Sequence, residues 1–451
     1  MNLFTLRDIL MMKYQSTPEK RFLPGYTKVS PRFSLRRNVS WTILGNGVYA
    51  ASQWGILIVL ARLGGPEVVG RFALALAITA PVMIFSNLAL RQVLVTDAKY
   101  SYLFSDYLAL RVIMILLALI VIVAITWFSC YRGEMAMVIL AVFLANAFEA
   151  LSDIFYGLHQ RNERLDFVAC SLMLRGPLGL VALACGYYLT DALVIGVFSM
   201  AITWAAIWLM YDIPISRRWR QPVNDPQGKT SLGREQAGRW ARLAWLAFPL
   251  GLATMIASLN TNIPRYFIEY YVGIYALGIF ASMAYLVVAG GMVINAVGQA
   301  ASPRLANYFA EQNTQAFIRL LGKMELIALA LGGAGILAAA LFGREILMLL
   351  YGPDFAEQGD VFVWVMLSAA VIYMASFMGY AMTALRIFRM QPMLLTVVAG
   401  INTLGCFLLI PQFGLVGAIW GWISAVFFQF LLSLLLNIRR LRTISTIDSS
   451  L

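Results

Sequence analysis

Two groups of polar residues stand inside otherwise apolar stretches, and their types suggest chemistry. In SLNTNIPRYFIEYYVG, residues 258–273, Arg265 follows Pro264, has Asn260 and Asn262 just upstream, and meets Glu269 one helical turn later. Apolar runs flank this segment on both sides. A guanidinium beside amides in such surroundings is anion-binding chemistry, because its planar fork matches the oxygens of an oxyanion two at a time. Pro264 cannot donate to the carbonyl of Asn260, so a break in the helix there is expected, with freed carbonyls facing a polar cavity. The alternative is an arginine at the membrane rim, tied to Glu269 at i,i+4. In the second group Glu149 and Asp153 share one helix face and Arg175 lies in the next apolar run. The expectation is a Glu149–Arg175 ion pair, either structural or an ion-responsive switch, because ionisable residues at membrane depth are functional candidates by default.

Catalytic and metal chemistry find little support. The chain has four cysteines and one histidine. Cys130, Cys170, Cys185 and Cys406 are too far apart for metal-ligand spacing, and His159 lies in a short polar stretch. No nucleophile–base pair, phosphate-binding glycine loop or ATPase motif occurs. A protein that is not an enzyme, without cofactor or metal, is expected, driven by an ion gradient or by the gradient of its own substrate.

The elements that position these residues follow from composition. Of the 451 residues 61% are hydrophobic and only 12% are charged, against roughly half and a quarter in soluble domains. Apolar runs of helix-spanning length recur along the chain, and in lipid only helices satisfy their own backbone over such lengths. The predicted fold is an all-α integral membrane protein with about 12 transmembrane helices. The spans expected in the first half are 41–62, 71–94, 106–128, 134–157, 167–189 and 191–212. In the second half they are 243–271, 274–301, 324–350, 359–385, 391–410 and 413–437. A basic tail covers 1–40; its first dozen residues are expected to form a short interfacial helix. A six-helix half follows at 41–213, then a basic linker at 214–242, a second half at 243–437 and a tail at 438–451. The stretch 303–323 reads as an amphipathic helix on the membrane surface. In this layout Arg62, Arg71, Arg132, Arg265 and Arg344 are the basic residues on the outer side, and Arg111 and Arg175 fall within spans; the rest of the 34 Lys and Arg gather on the other side. That bias places both termini in the cytoplasm and accounts for the net charge of +12 without a nucleic-acid partner.

The halves carry a repeat. GPEVVGRFA from Gly65 and GIYALGIFA from Gly273 share the pattern G-x-x-x-x-G-x-F-A, and at the same offset Asn87 matches Asn295. Both copies start on the same side, which predicts two parallel six-helix halves around a central cavity, with substrate bound between them. Asn87 and Asn295 read as cavity hydrogen-bonders or as glue between helices.

These pieces resemble the bacterial polysaccharide-export flippases of the Wzx type, in the multidrug/oligosaccharidyl-lipid/polysaccharide exporter superfamily. The residues that carry the resemblance are Leu63-Gly64-Gly65-Pro66 with Gly70 and Phe72, Asn87 through Gln92, RYFIEYYVGIYALGIFASM from Arg265, YGPDFAEQGDVFVW from Tyr351, and NTLGCFLLIPQFGLVGAIWGWISA from Asn402. The basic tail and the doubled glycine depart from the family pattern. The resemblance implies a multi-pass protein of the bacterial cytoplasmic membrane that turns over undecaprenyl-diphosphate oligosaccharides, with membrane lipid, a polysaccharide polymerase and export machinery as partners. Under that reading Arg265, Asn260, Asn262, Arg62, Arg71, Asn87 and Asn295 are substrate-binding candidates, Arg62 and Arg71 at the departure side for the diphosphate. Glu149, Asp153, Arg175 and Glu269 are the candidates for coupling. Arg91 and Arg111 are expected to snorkel to lipid heads. Two other functions stay open: an ion-coupled small-molecule antiporter of the same superfamily and, against the short outer loops, a membrane polysaccharide polymerase or ligase.

Overall fold

The computed structural model describes residues 35–97, 101–217, 234–387 and 390–448. The interfacial helix expected in the first dozen residues, most of the basic tail and most of the linker lie outside them. The described residues form helices and no strands. The first half comprises α1 (Leu35–Asn87), α2 (Leu90–Thr96), α3 (Phe104–Phe128), α4 (Glu134–Arg161), α5 (Leu165–Thr190) and α6 (Leu193–Ile207). One π turn (Trp208–Asp212) then leads into the short α7 (Ile213–Ser216). The second half comprises α8 (Arg234–Tyr271), α9 (Ile274–Ala310), α10 (Thr314–Leu350), the one-turn α11 (Pro353–Ala356), α12 (Gly359–Ala384) and α13 (Met390–Asp448).

Ten helices among the described residues are long and apolar enough to cross a membrane. Two of them, α1 with 53 residues and α13 with 59, far exceed one crossing, since a ~30 Å core takes about 20 residues. Each bends at a glycine whose positive φ other residues rarely adopt: Gly65 at 69° and Gly414 at 56°. In α1 this yields limbs 35–64 and 66–87.

Three expectations are corrected. The second limb of α1 stops at Asn87 rather than near 94: Leu88 and Ala89 adopt left-handed backbone and α2 starts afresh, carrying Arg91. Residues 303–323 form no separate surface helix. Instead α9 continues through Pro303 to Ala310, a turn follows, and Asn313 caps the start of α10 through the N–H of Ala316 at 3.0 Å. A helix that leaves hydrocarbon changes its side chains and not its backbone, so composition marked the interface but not the helix end. Finally, α8 runs unbroken through Pro264. The carbonyl of Asn260, which Pro264 cannot reach as a donor, accepts the side-chain N–H of Asn402 on α13 at 2.9 Å. A neighbouring helix therefore supplies the missing donor, as lipid could not.

In the first half, the first limb of α1 packs along α5, and α4 packs against α6. In the second half, α12 lies against α9, α10 and α13, and α13 lies against α8. The halves meet where α1 contacts α8 and α9. At the end of the bundle that holds Gly65 and Gly273, here termed the turn end, the repeat explains itself. A Cβ on Gly70 would collide with the carbonyl of Ile274, and one on Gly278 with the carbonyl of Pro66. Each motif glycine thus receives the backbone that opens the other motif's helix. Gly278→Ala should lower the melting temperature of the detergent-solubilised protein, because overpacking costs about 1–3 kcal/mol. Gly322→Ala, which meets nothing within 4 Å, should leave it unchanged.

Candidate functional site

A cavity of about 220 Å³ opens at mid-depth within the first half, with one residue of the second half on its wall; it is lined by Tyr49 and Gln53 of α1's first limb, Phe72 and Leu76 of its second, Val142, Asn146 and Glu149 of α4, Met200 and Trp204 of α6, and Tyr285 of α9. Gln53, Asn146 and Tyr285 stand eleven or twelve residues from the turn-end terminus of their helix segment, about 17 Å at 1.5 Å per residue, so they share one level. Asn146 donates to Thr79 Oγ1 at 3.2 Å, which turns its amide in a set direction. Tyr49 donates to Glu149 at 2.6 Å. A second cavity of about 190 Å³ shares Tyr49 and Glu149 and runs past Asn46, Arg91, Asp153 and Tyr156 toward the opposite, basic end.

Arg265 lies on the turn side of this cavity. It is half-buried, and its Nη1 donates to Asn262 Oδ1 at 3.1 Å, while its Nε has no partner. Its electrostatic neighbours are Tyr285 and Tyr266, and Tyr285 also feels Glu149. No carboxylate lies within ion-pair distance of Arg265 among the described residues. Glu269 does not take it: that carboxylate accepts from Tyr131 at 3.2 Å. The i,i+4 spacing was right for a pair, but the side chain of Glu269 is drawn to a tyrosine of the other half.

The buried arginines of the first half by contrast each have a carboxylate partner, although Arg111 Nε and Arg175 Nε and Nη1 meet no acceptor. Arg175 has no exposed surface and pairs with Asp212 at 3.7 Å, with a further hydrogen bond to Ser152 and the Trp204 ring 5.4 Å away. Glu149 is within its electrostatic reach, but the direct ionic partner is Asp212. The π turn adds a residue to the last turn of that helix and brings Asp212 inward, where Ser171 also donates to it at 2.8 Å. Asp153 takes Arg91 at 3.1 Å and Arg111 at 3.2 Å. Arg111 is completely covered and also binds Asn87. Neither arginine follows the expected route to lipid heads; a nearby carboxylate offers a charge-assisted bond that a long snorkelling side chain would forgo.

The halves are fastened on the turn side. Arg62 donates to the carbonyls of Met348, Leu349 and Leu350, capping the C-terminus of α10. Trp54 donates to Tyr351 Oη at 2.9 Å, and Tyr351 donates to the carbonyl of Ser282 at 2.9 Å. Toward the basic end, the first limb of α1 leans on α5, with Gly45 against Ala169. The matching part of α9 leans on α12, with Gly290 and Gly298 against Tyr373 and Tyr380. Among the described residues no hydrogen bond joins these two stretches. Among the described residues α8 bridges the halves at that end, through the Phe85–Phe248 ring pair at 5.7 Å and Trp240, which donates to Asp106 at 3.2 Å.

A sequence profile described as "Polysaccharide biosynthesis protein" matches residues 35–309. The chain belongs to this polysaccharide biosynthesis family. The capsular polysaccharide biosynthesis protein CapF of Staphylococcus aureus is 28% identical over 382 residues, covering 85% of this chain and 94% of the relative. Among solved structures, the lipid II flippase MurJ in an inward closed conformation has a TM-score of 0.69 at 11% identity, over 90% of both chains. An inward-facing multidrug MATE transporter of the MOP superfamily has a TM-score of 0.61 at 13% identity, over 91% of this chain and 96% of the other. The fold is that of MOP-superfamily transporters.

In this member of the polysaccharide biosynthesis family the predicted residues therefore fall into several places. Glu149 is at the cavity and Arg265 beside it, with Asn262 orienting the arginine. Asn260 instead donates to the carbonyl of Leu395 at 2.9 Å, joining α8 to α13. Arg71 is held by Glu67 and Glu134, both at 2.7 Å, and Asn295 accepts from Tyr380 at 3.3 Å. Tyr49, Gln53, Asn146 and Asp212 were not singled out in the sequence: aromatics and amides in apolar runs look like filler, and Asp212 closed its predicted span, where a carboxylate passes for interfacial.

Arg175→Met and Asp212→Leu should each cost about 3–5 kcal/mol, because each strands a buried charge, and the double variant should recover most of that loss. Thermal or denaturant unfolding of the four proteins measures this cycle.

Proposed function

We propose that this protein is a flippase that moves a lipid-linked oligosaccharide, carried on undecaprenyl diphosphate, across the bacterial cytoplasmic membrane for surface polysaccharide assembly. No bond of the cargo is made or broken, so the protein is not an enzyme; a polysaccharide polymerase and export machinery would take the product. Membership of the polysaccharide biosynthesis family and the names of the relatives support the polysaccharide reading. One observation carries the cargo chemistry: Arg265, a guanidinium without a carboxylate, beside a mid-depth cavity. A diphosphate would supply the missing acceptors.

Counted at their glycine bends, α1 and α13 give two crossings each, and the chain has twelve spans in halves 41–213 and 243–437. The end with Arg91, Arg161, Arg164, Arg239 and Arg304 then faces the cytoplasm. In that orientation the turn end is the outer seal, and the inner stretches of α1 and α9, which no hydrogen bond joins among the described residues, would part to admit cargo from inside, its lipid tail remaining in the bilayer. Alternating access requires the glycine contact and the Arg62 cap to open while the inner stretches close. Arg62 and Arg71 would then be available to the departing diphosphate, and Glu149, linked to both cavities, is our choice for the coupling group, with Asp153 and Arg175 holding its surroundings.

A small-molecule antiporter is the second reading, favoured by Glu149 as the single carboxylate on the central cavity. Arg265→Ala should abolish surface polysaccharide and accumulate the lipid-linked repeat unit inside, with the protein still inserted at normal levels; Arg265→Lys should retain part of the export. Immunoblotting of membranes with quantification of surface polysaccharide and lipid-linked sugar measures this. Full surface polysaccharide in the Ala variant would remove Arg265 from the site. Unchanged polysaccharide on deletion of the whole gene, with gradient-driven dye export by proteoliposomes, would select the antiporter.

A further inference from the structure

The mid-depth cavity is built unlike the surroundings of Arg265. Its polar members are two amides, Gln53 and Asn146, one carboxylate, Glu149, and two tyrosines, Tyr49 and Tyr285. Gln53 has no side-chain partner among the described residues. Asn146 has one N–H committed to Thr79, which fixes where its oxygen points. Glu149 receives one hydrogen bond, from Tyr49, and keeps further acceptor capacity. Phe72, Met200 and Trp204 are only 3% exposed each and form the apolar floor.

We infer that this cavity is a binding subsite for one pyranose ring, the sugar attached directly to the diphosphate. The inference rests on the flippase reading and assigns the part of the cargo that reading leaves unplaced. Three features of the geometry support it. Amides and a carboxylate at one level are the groups that bond adjacent hydroxyls, whereas a phosphate needs donors alone. The volume of about 220 Å³ equals that of roughly seven waters in the liquid, the scale of a single ring; the next sugars would occupy the adjoining cavity that shares Tyr49 and Glu149. Tyr285, on the cavity wall, interacts electrostatically with both Arg265 and Glu149, so a ring seated against Glu149 and Tyr285 stays within reach of the arginine that would hold the diphosphate. Gln53 and Asn146 are thus specificity-determining residues: they read the sugar and not the carrier.

The test compares binding of bare undecaprenyl diphosphate with the same lipid bearing N-acetylglucosamine, N-acetylgalactosamine, glucose or galactose. The full chain is held in nanodiscs and the complexes are counted by native mass spectrometry. Wild-type protein is expected to bind at least one glycosylated lipid tenfold or more tighter than the bare one. Gln53→Leu and Asn146→Leu should each cut that preference about three- to tenfold, the effect of one lost hydrogen bond, with binding of the bare lipid unchanged. Arg265→Ala should weaken all five lipids alike. No preference among the five in wild type, or a preference that survives both amide variants, overturns the subsite and leaves the flippase reading intact. Failure of wild type to bind any of the lipids overturns the flippase reading itself. Should Asn146→Leu lose the bare lipid through misfolding, Gln53→Met, at a side chain with no partner to forfeit, decides the matter alone.

Discussion

A guanidinium carried into hydrocarbon keeps its proton, so it must find acceptors within the protein. Much of the first half is organised by that demand. Asp153 on α4 draws in Arg91 from α2 and Arg111 from α3, and Arg111 also holds Asn87 at the end of α1. Arg175 on α5 finds Asp212 at the π turn and Ser152 on α4. Such pairs are poor sources of net stability but costly to break, so they bind the helices of this half to one arrangement. Arg265 breaks the pattern. It has an amide for company and no carboxylate among the described residues, and an unmet demand of this kind is what an anionic cargo satisfies.

The two halves are joined with a bias toward one end. At the turn end, backbone touches backbone through Gly70 and Gly278, while Arg62, Trp54 and Tyr351 add bonds across the seam. Toward the basic end the first limb of α1 and the matching part of α9 each rest on a helix of their own half. Small residues allow close approach and leave no interlocking side chains, so the contact at the glycines is tight yet has little to unthread when it separates. The cavity with Glu149 lies below that seal, lined almost wholly by the first half with Tyr285 reaching in from the second.

Several of these features were legible in the sequence because they depend on local chemistry or on long averages. Apolar runs announced the helices; the positions of lysine and arginine marked one end as basic; and the spacing of Gly65, Gly70, Gly273 and Gly278 announced a repeat, although not that its copies meet each other. Arg265 and Glu149 stood out because a charge in an apolar run needs a partner, a place at the rim or a ligand. Other readings failed because they required knowledge of neighbours. Pro264 removes a donor from Asn260 in any structure, but whether the helix breaks depends on Asn402, more than a hundred residues away. Arg175 needed a carboxylate, and loop length suggested Glu149; a π turn delivered Asp212 instead.

The sequence by itself determined what each segment must avoid: bare backbone in lipid, a lone charge at depth, a side chain at a glycine turn. Those are one-body costs, paid by a residue in its solvent whatever surrounds it. Only the tertiary structure decided which partner met each demand and which demand was left open. Partner choice is a competition among groups distant in the chain, settled by distances of a few ångströms that helix periodicity does not encode. Hence Arg111 and Arg175 became internal braces, Asn260 became a link between α8 and α13, and Arg265 was left beside the cavity with no carboxylate partner among the described residues.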